Sequence, residues 1–108
     1  MPKYLLQASY TVEGLKGLKK AKASSRKAAV AKLVKAIGGK LEALYYVLGD
    51  HDILAIVEVP DHSSAAAMSL AVSATGLCRS IRTTALLDLH EMDKALEKSS
   101  VGFRGPGQ

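Results

Sequence analysis

Tyr45-Tyr46-Val47-Leu48-Gly49-Asp50-His51-Asp52-Ile53-Leu54-Ala55-Ile56-Val57-Glu58-Val59-Pro60 is the stretch whose reading decides the fold. Two apolar runs rich in β-branched and aromatic residues flank the polar quartet Gly49-Asp50-His51-Asp52, the pattern of a tight β-hairpin. The first strand of the pair spans Leu41 to Leu48 and the second Ile53 to Val59, ended by Pro60, which cannot donate to a ladder. In the second strand Leu54 and Ile56 point one way and Ile53, Ala55, Val57 and Val59 the other. A strand apolar on both faces is expected to be covered on both.

Outward from the hairpin, the chain alternates strands and helices. Lys3 to Tyr10 places Tyr4, Leu6, Ala8 and Tyr10 on one side of a first strand and Leu5, Gln7 and Ser9 on the other. Thr11 offers an N-cap hydroxyl, and Glu13 complements the dipole of the helix that follows. A break is expected near Ser24-Ser25. Val30, Leu33, Val34 and Ile37 then stand at i, i+3, i+4 and i+7, and Gly38-Gly39 supplies the stop. After Pro60, Asp61 caps an Ala-rich helix with Ala65, Met68, Ala71 and Val72 on its buried face, closed by Gly76. A fourth strand covers Leu77 to Leu87, and a short helix behind Asp88 runs from His90 to Lys98. Ser99 to Gln108, with three glycines and Pro106, has no regular structure; it is either a frayed end or a segment docked on a neighbouring subunit.

The order β-α-β-β-α-β with an added helix is the ferredoxin-like arrangement of an α+β fold: an antiparallel sheet with helices on one face and the first strand between the third and fourth. One domain, residues 1–98, is followed by the tail, 99–108. Because helices cover only one face, the open face is expected to be buried by a second copy of the chain, giving a homodimer or higher homo-oligomer. The topology also gathers Tyr10, the His51-Asp52 turn and the Cys78-Arg79 segment at one edge of the sheet, bordered by Tyr46 and Leu48.

Composition narrows the function classes. At 108 residues, 48% hydrophobic and 23% charged, the chain is an ordinary globular domain. No signal peptide or membrane span is legible, and the single cysteine, Cys78, excludes an internal disulfide; a cytoplasmic protein is expected. The formal charge of +5 arises from nine cations between Lys16 and Lys40 with no acid among them. That segment has no interleaved aromatics and no recognition motif, so a solvated helix face is expected rather than a nucleic-acid surface.

Candidate chemistry concentrates at the gathered edge. His51, with Asp52 holding its tautomer, is a candidate proton-transfer group; the alternative makes Asp50 and Asp52 turn-shaping residues with His51 at an exposed tip. Tyr10 and Tyr46 are candidate orienting donors in a ligand pocket, or packing residues. Arg79 and Arg82, three apart, fall on opposite faces of a regular strand, where one can bind an anionic group and the other pair with Asp52, Asp88 or Glu58; structural ion pairing is the expectation. Cys78 is expected to pack as a thiol, with Arg79 as the cation that would activate it. Cys78, His51, Asp52, His62 and His90 have no metal-ligand spacing, and neither metal nor cofactor is expected.

The run Gly49-Asp50-His51-Asp52-Ile53, then Ile56-Val57-Glu58-Val59-Pro60-Asp61, an Ala-rich helix and Arg82-Thr83-Thr84 resembles the GYD domain family of small bacterial proteins over residues 2 to 98. Gly49 and Asp52 match the residues for which the family is named, and His51 stands where it has tyrosine. The resemblance implies a ferredoxin-like, dimeric α+β-barrel type of fold and transfers no activity. The function expected is therefore a homo-oligomeric domain binding a small molecule between sheet and helices. The alternatives are a cofactor-free isomerase or monooxygenase using His51, or an oligomeric scaffold without ligand.

Overall fold

The computed structural model describes residues 1–108. Four strands, β1 (Lys3–Tyr10), β2 (Lys40–Tyr46), β3 (Ile53–Glu58) and β4 (Cys78–Leu86), form one antiparallel sheet in the order β2-β3-β1-β4. Helices α1 (Val12–Ala21) and α2 (Ala23–Ala36) connect β1 to β2, α3 (His62–Ser73) connects β3 to β4, and α4 (Leu89–Lys98) follows β4. The fold is α+β, with β1 between β3 and β4 as the element order requires.

The caps are those written in the sequence. Thr11 accepts from the Gly14 amide, Asp61 from the Ser64 amide, and Asp88 forms a reciprocal capping box with Glu91. The helical break falls at Lys22 rather than at the serine pair. Lys22 adopts φ +74° and ψ 154°, a conformation that costs a side-chain-bearing residue of order 1–3 kcal/mol. Ser25 holds the break, its hydroxyl donating to the carbonyls of Ala21 (2.7 Å) and Lys22 (2.9 Å). Ser25 thus stabilises the start of α2 instead of interrupting it.

Register fixes the two faces. Tyr4, Leu6, Ala8 and Tyr10 lie towards the helices; opposite them in the ladders stand Val57, Ala55 and Ile53 of β3, with Ala85, Thr83 and Ile81 of β4. The open face carries Leu5 and Gln7 of β1, Leu54 and Ile56 of β3, Ala43 and Tyr45 of β2, and Arg82 of β4. Irregularities in register occur between Leu41 and Ala43 on β2 and opposite Ser9 and Tyr10, where β4 carries Arg79 as an extra residue. The alternation expected to place Arg79 and Arg82 on opposite faces is therefore interrupted.

The β2–β3 connection is wider than a tight hairpin. Residues 47–52 form it, closed by the Val47 amide donating to the Asp52 carbonyl (2.9 Å), and its exposed tip is Leu48 to Asp50. His51 lies behind that tip, half-buried. The physical reason is Asp52: its own amide donates to the Ala8 carbonyl (2.9 Å), which pulls the end of the turn onto β1.

The core occupies one end of the sheet. Tyr4, Val57 and Val59 from the strands pack with Val34 of α2 and with Ala65 and Met68 of α3, and Leu6, Val30, Ile37 and Leu41 complete the cluster. Ala71, expected on the buried face of α3, is exposed, because that helix turns towards β4, where Ser69 and Thr83 share a hydrogen bond of 2.7 Å. Only seven hydrophobic residues are buried. All of α4 is exposed, including Leu89, Met92 and Leu96 on one stripe. The radius of gyration, 17.2 Å, exceeds the roughly 13 Å of a compact chain of this length because α4 and the tail project from the body.

Candidate functional site

Beside the core, towards the Tyr10 end of β1, the layers part. The N-terminal half of α2 and the C-terminal half of α3 do not close on each other above β1 and β3, leaving an apolar cavity of about 110 Å³. Its floor is Leu6, Ala8, Ile53 and Ala55, and its walls are Val30 and Leu33 on one side and Met68 and Val72 on the other. Ile81 and Leu44 extend the apolar lining towards the outer strands. Ala55 and Met68 belong to both core and cavity, so the cavity begins where the core ends and widens towards Ala8, Tyr10 and Cys78.

One end of the cavity is polar. Tyr10 at the end of β1, Cys78 at the start of β4 and Arg26 in the first turn of α2 meet there. β1 ends opposite the beginning of β4, with Tyr10 paired to Cys78 across the ladder. Burial pushes the Tyr10 phenol far above the usual tyrosine range, and the neighbouring Tyr46 phenol adds to the shift, so Tyr10 stays protonated as a hydrogen-bond donor. Burial also raises the Cys78 thiol, with the Arg26 guanidinium opposing and the Asp52 carboxylate reinforcing the rise. Cys78 is a thiol at neutral pH, and the cation that acts on it is Arg26 rather than Arg79.

The residues singled out in the sequence divide accordingly. Tyr10 lines the cavity. Tyr46 stands on the same face of the sheet, opposite Ile53, with its phenol near that of Tyr10. Asp52 comes to the same edge but is engaged in the backbone: its Oδ2 accepts from the Tyr10 amide at 2.8 Å. His51 does not line the cavity; its Nδ1 lies 3.4 Å from the Ser9 hydroxyl, which is also 3.4 Å from the Asp50 carbonyl. Ser9 itself is fully buried. Arg79 and Arg82 are both exposed and outside the cavity, Arg82 on the open face opposite Gln7. Neither forms a salt bridge; the ion pairs of the chain join Lys3 to Glu42 (2.6 Å) and to Glu58 (3.7 Å).

Two functional placements escape the sequence patterns. His62 is not merely solvated: its Nδ1 meets the hydroxyl of buried Tyr4, with the rings edge to face at 5.7 Å. Arg26 belongs to the cavity although it sits in the basic run. A signal for it exists, since it is the one arginine among the nine cations and stands at i−4 from Val30 and i−7 from Leu33, on the apolar stripe. No group of three or more His, Cys, Asp and Glu side chains comes together as a metal site.

A family model described as the GYD domain matches residues 4–96. No curated protein matches the chain. Among solved structures, one described as FFRP-DM1 is similar with a TM-score of 0.52 at 14% identity, over 81% of this chain and 100% of that one. A hypothetical protein, PHS023 of Pyrococcus horikoshii, is similar with a TM-score of 0.51 at 14% identity, over 83% of this chain and 95% of that one. At such identity the likeness concerns the fold alone.

Proposed function

The chain belongs to the GYD domain family, and on that premise we propose that it is a homo-oligomeric domain that binds a small molecule in the sheet–helix cavity. The observation that carries the reading is the cavity itself: an apolar chamber with a few convergent polar groups at one end, which is the usual composition of a ligand site. A scaffold without ligand would have no use for the parting of α2 from α3, since filling the space with larger side chains would add apolar contact. The isomerase or monooxygenase reading requires His51 to face the chamber, and its place behind the β2–β3 turn leaves that reading without its proton-transfer group.

Self-association is supported by what the single chain leaves uncovered. Its open sheet face presents Leu5, Leu54, Ile56 and Tyr45, and α4 adds the stripe Leu89, Met92 and Leu96. With seven buried hydrophobic residues, one copy has a small core for its length, and a second copy is the simplest cover for both surfaces.

Two measurements test the proposal. Toluene titrated against the isotope-labelled protein should shift amides of Ala8, Val30 and Met68; an unchanged spectrum up to saturation rejects the binding reading. Sedimentation at micromolar concentration should give at least twice the 11.4 kDa chain mass, and Ile56→Asp should shift it towards the monomer. A wild-type monomer rejects the oligomeric part.

A further inference from the structure

The polar end of the cavity holds a positive charge without a partner. Arg26 lines the chamber together with Tyr10 and Cys78, and no carboxylate lies within ion-pair distance of it. The nearest acid of the site, Asp52, is held instead by the Tyr10 backbone amide. A guanidinium at the edge of an apolar cavity, with no counter-charge from the chain, is left free to pair with an anionic ligand.

Its position in α2 points the same way. Arg26 occupies the first turn, where the helix dipole favours anions and disfavours cations. That turn contains no acidic residue, and the N-cap, Lys22, makes no side-chain hydrogen bond to it. No acidic side chain of that turn therefore competes with a ligand for the guanidinium at the polar end of the chamber.

We propose that the cavity binds a small monocarboxylate, with its carboxylate on Arg26 and the Tyr10 hydroxyl and its compact apolar body between Val30, Leu33 and Met68. The inference rests on the cavity being a ligand site and adds the charge and size of the ligand. Arginine presents a planar fork of N–H donors that matches a carboxylate, and Tyr10, protonated throughout the physiological range, supplies a further donor. A volume of about 110 Å³ restricts the apolar part to the size of one ring or a short branched chain. Cys78 contributes a neutral, polarisable wall there rather than a nucleophile.

The test is a three-probe amide-shift titration of the full chain with benzoate, its neutral near-isostere benzamide, and toluene. Benzoate should shift the amides of Arg26, Tyr10 and Cys78 and bind at least about tenfold more tightly than benzamide. Arg26→Gln should bring benzoate down to the affinity of benzamide and leave toluene unchanged, which also reports that the variant retains the cavity. Should Arg26→Gln fail to fold, the comparison of benzoate with benzamide in the wild-type protein decides alone. If all three probes enter with similar affinity, the carboxylate inference is overturned and the cavity reading survives. If none of them perturbs the cavity amides, both are overturned.

Discussion

Replacing Gly14 by alanine should destabilise the protein, although alanine is the better helix former. Gly14 is buried in the first turn of α1, and a Cβ built on it would overlap the carbonyl oxygen of Leu77 and stand 3.0 Å from Cδ1 of Tyr10. Propensity favours the change by at most about 1 kcal/mol. Against it, the obstructing oxygen is backbone, and it accepts the Thr11 amide at 2.9 Å, so it cannot move aside without weakening that hydrogen bond. Overpacking costs about 1–3 kcal/mol, and the strained hydrogen bond up to about 1 kcal/mol more. An overlap with backbone puts the overpacking in the upper part of that range, about 2–3 kcal/mol, so after the gain in propensity the net loss is about 1–3 kcal/mol. Gly17, one turn later in the same helix, provides the control, because nothing lies within 4 Å of its would-be Cβ. Gly17→Ala should therefore stabilise by about 0.5–1 kcal/mol, a rise in Tm of roughly 2–5 °C. Urea denaturation of the two variants beside wild type measures both. Equal stabilisation by the two substitutions would refute the close approach of α1 to the start of β4, and with it the position assigned to Tyr10 at the cavity's polar end.

Lys22→Gly should raise stability by about 1 kcal/mol in thermal or chemical denaturation, because glycine adopts the φ of +74° without the steric cost; a loss would mean that Lys22 is not held in that conformation. Hydrogen bonds from the Ser64 hydroxyl and amide hold the Asp61 carboxyl below its ordinary range, so its contribution to stability is complete above the unfolded value of about 3.9 and is lost as pH falls through the lower folded value. Asp61→Asn, which keeps a cap but cannot titrate, should flatten the acid side of the stability profile between pH 6 and 2; parallel profiles would contradict that account. Cys78 should react slowly with an aromatic disulfide at pH 8 and accelerate only above the usual thiol range, and Arg26→Gln should slow it further by removing the cation that favours the thiolate. An unchanged rate in the variant would place Arg26 away from the thiol.

Sequence by itself determined the order of the elements and the sheet they make. Local signals suffice for that: alternation in Lys3 to Tyr10, the doubly apolar Ile53 to Val59, the caps at Thr11, Asp61 and Asp88, and the stop at Gly38-Gly39 all act within a few residues. Handedness and antiparallel pairing then left one arrangement, which brought Tyr10, Asp52 and Cys78 to a common edge. Tertiary structure alone decided what that edge does. Asp52 became a backbone anchor and His51 was drawn behind the turn, because an amide of β1 was there to be satisfied, which no feature of the turn's own residues announces. The register irregularity at Arg79 disrupted an alternation that sequence spacing assumes. Arg26 shows the same limit from the other side: charge counting assigns it to solvent with its lysine neighbours, and only the packing of α2 over the sheet places a lone guanidinium at the mouth of an apolar chamber. Secondary structure follows from near neighbours, whereas the partner of a charge depends on which distant surfaces fail to close.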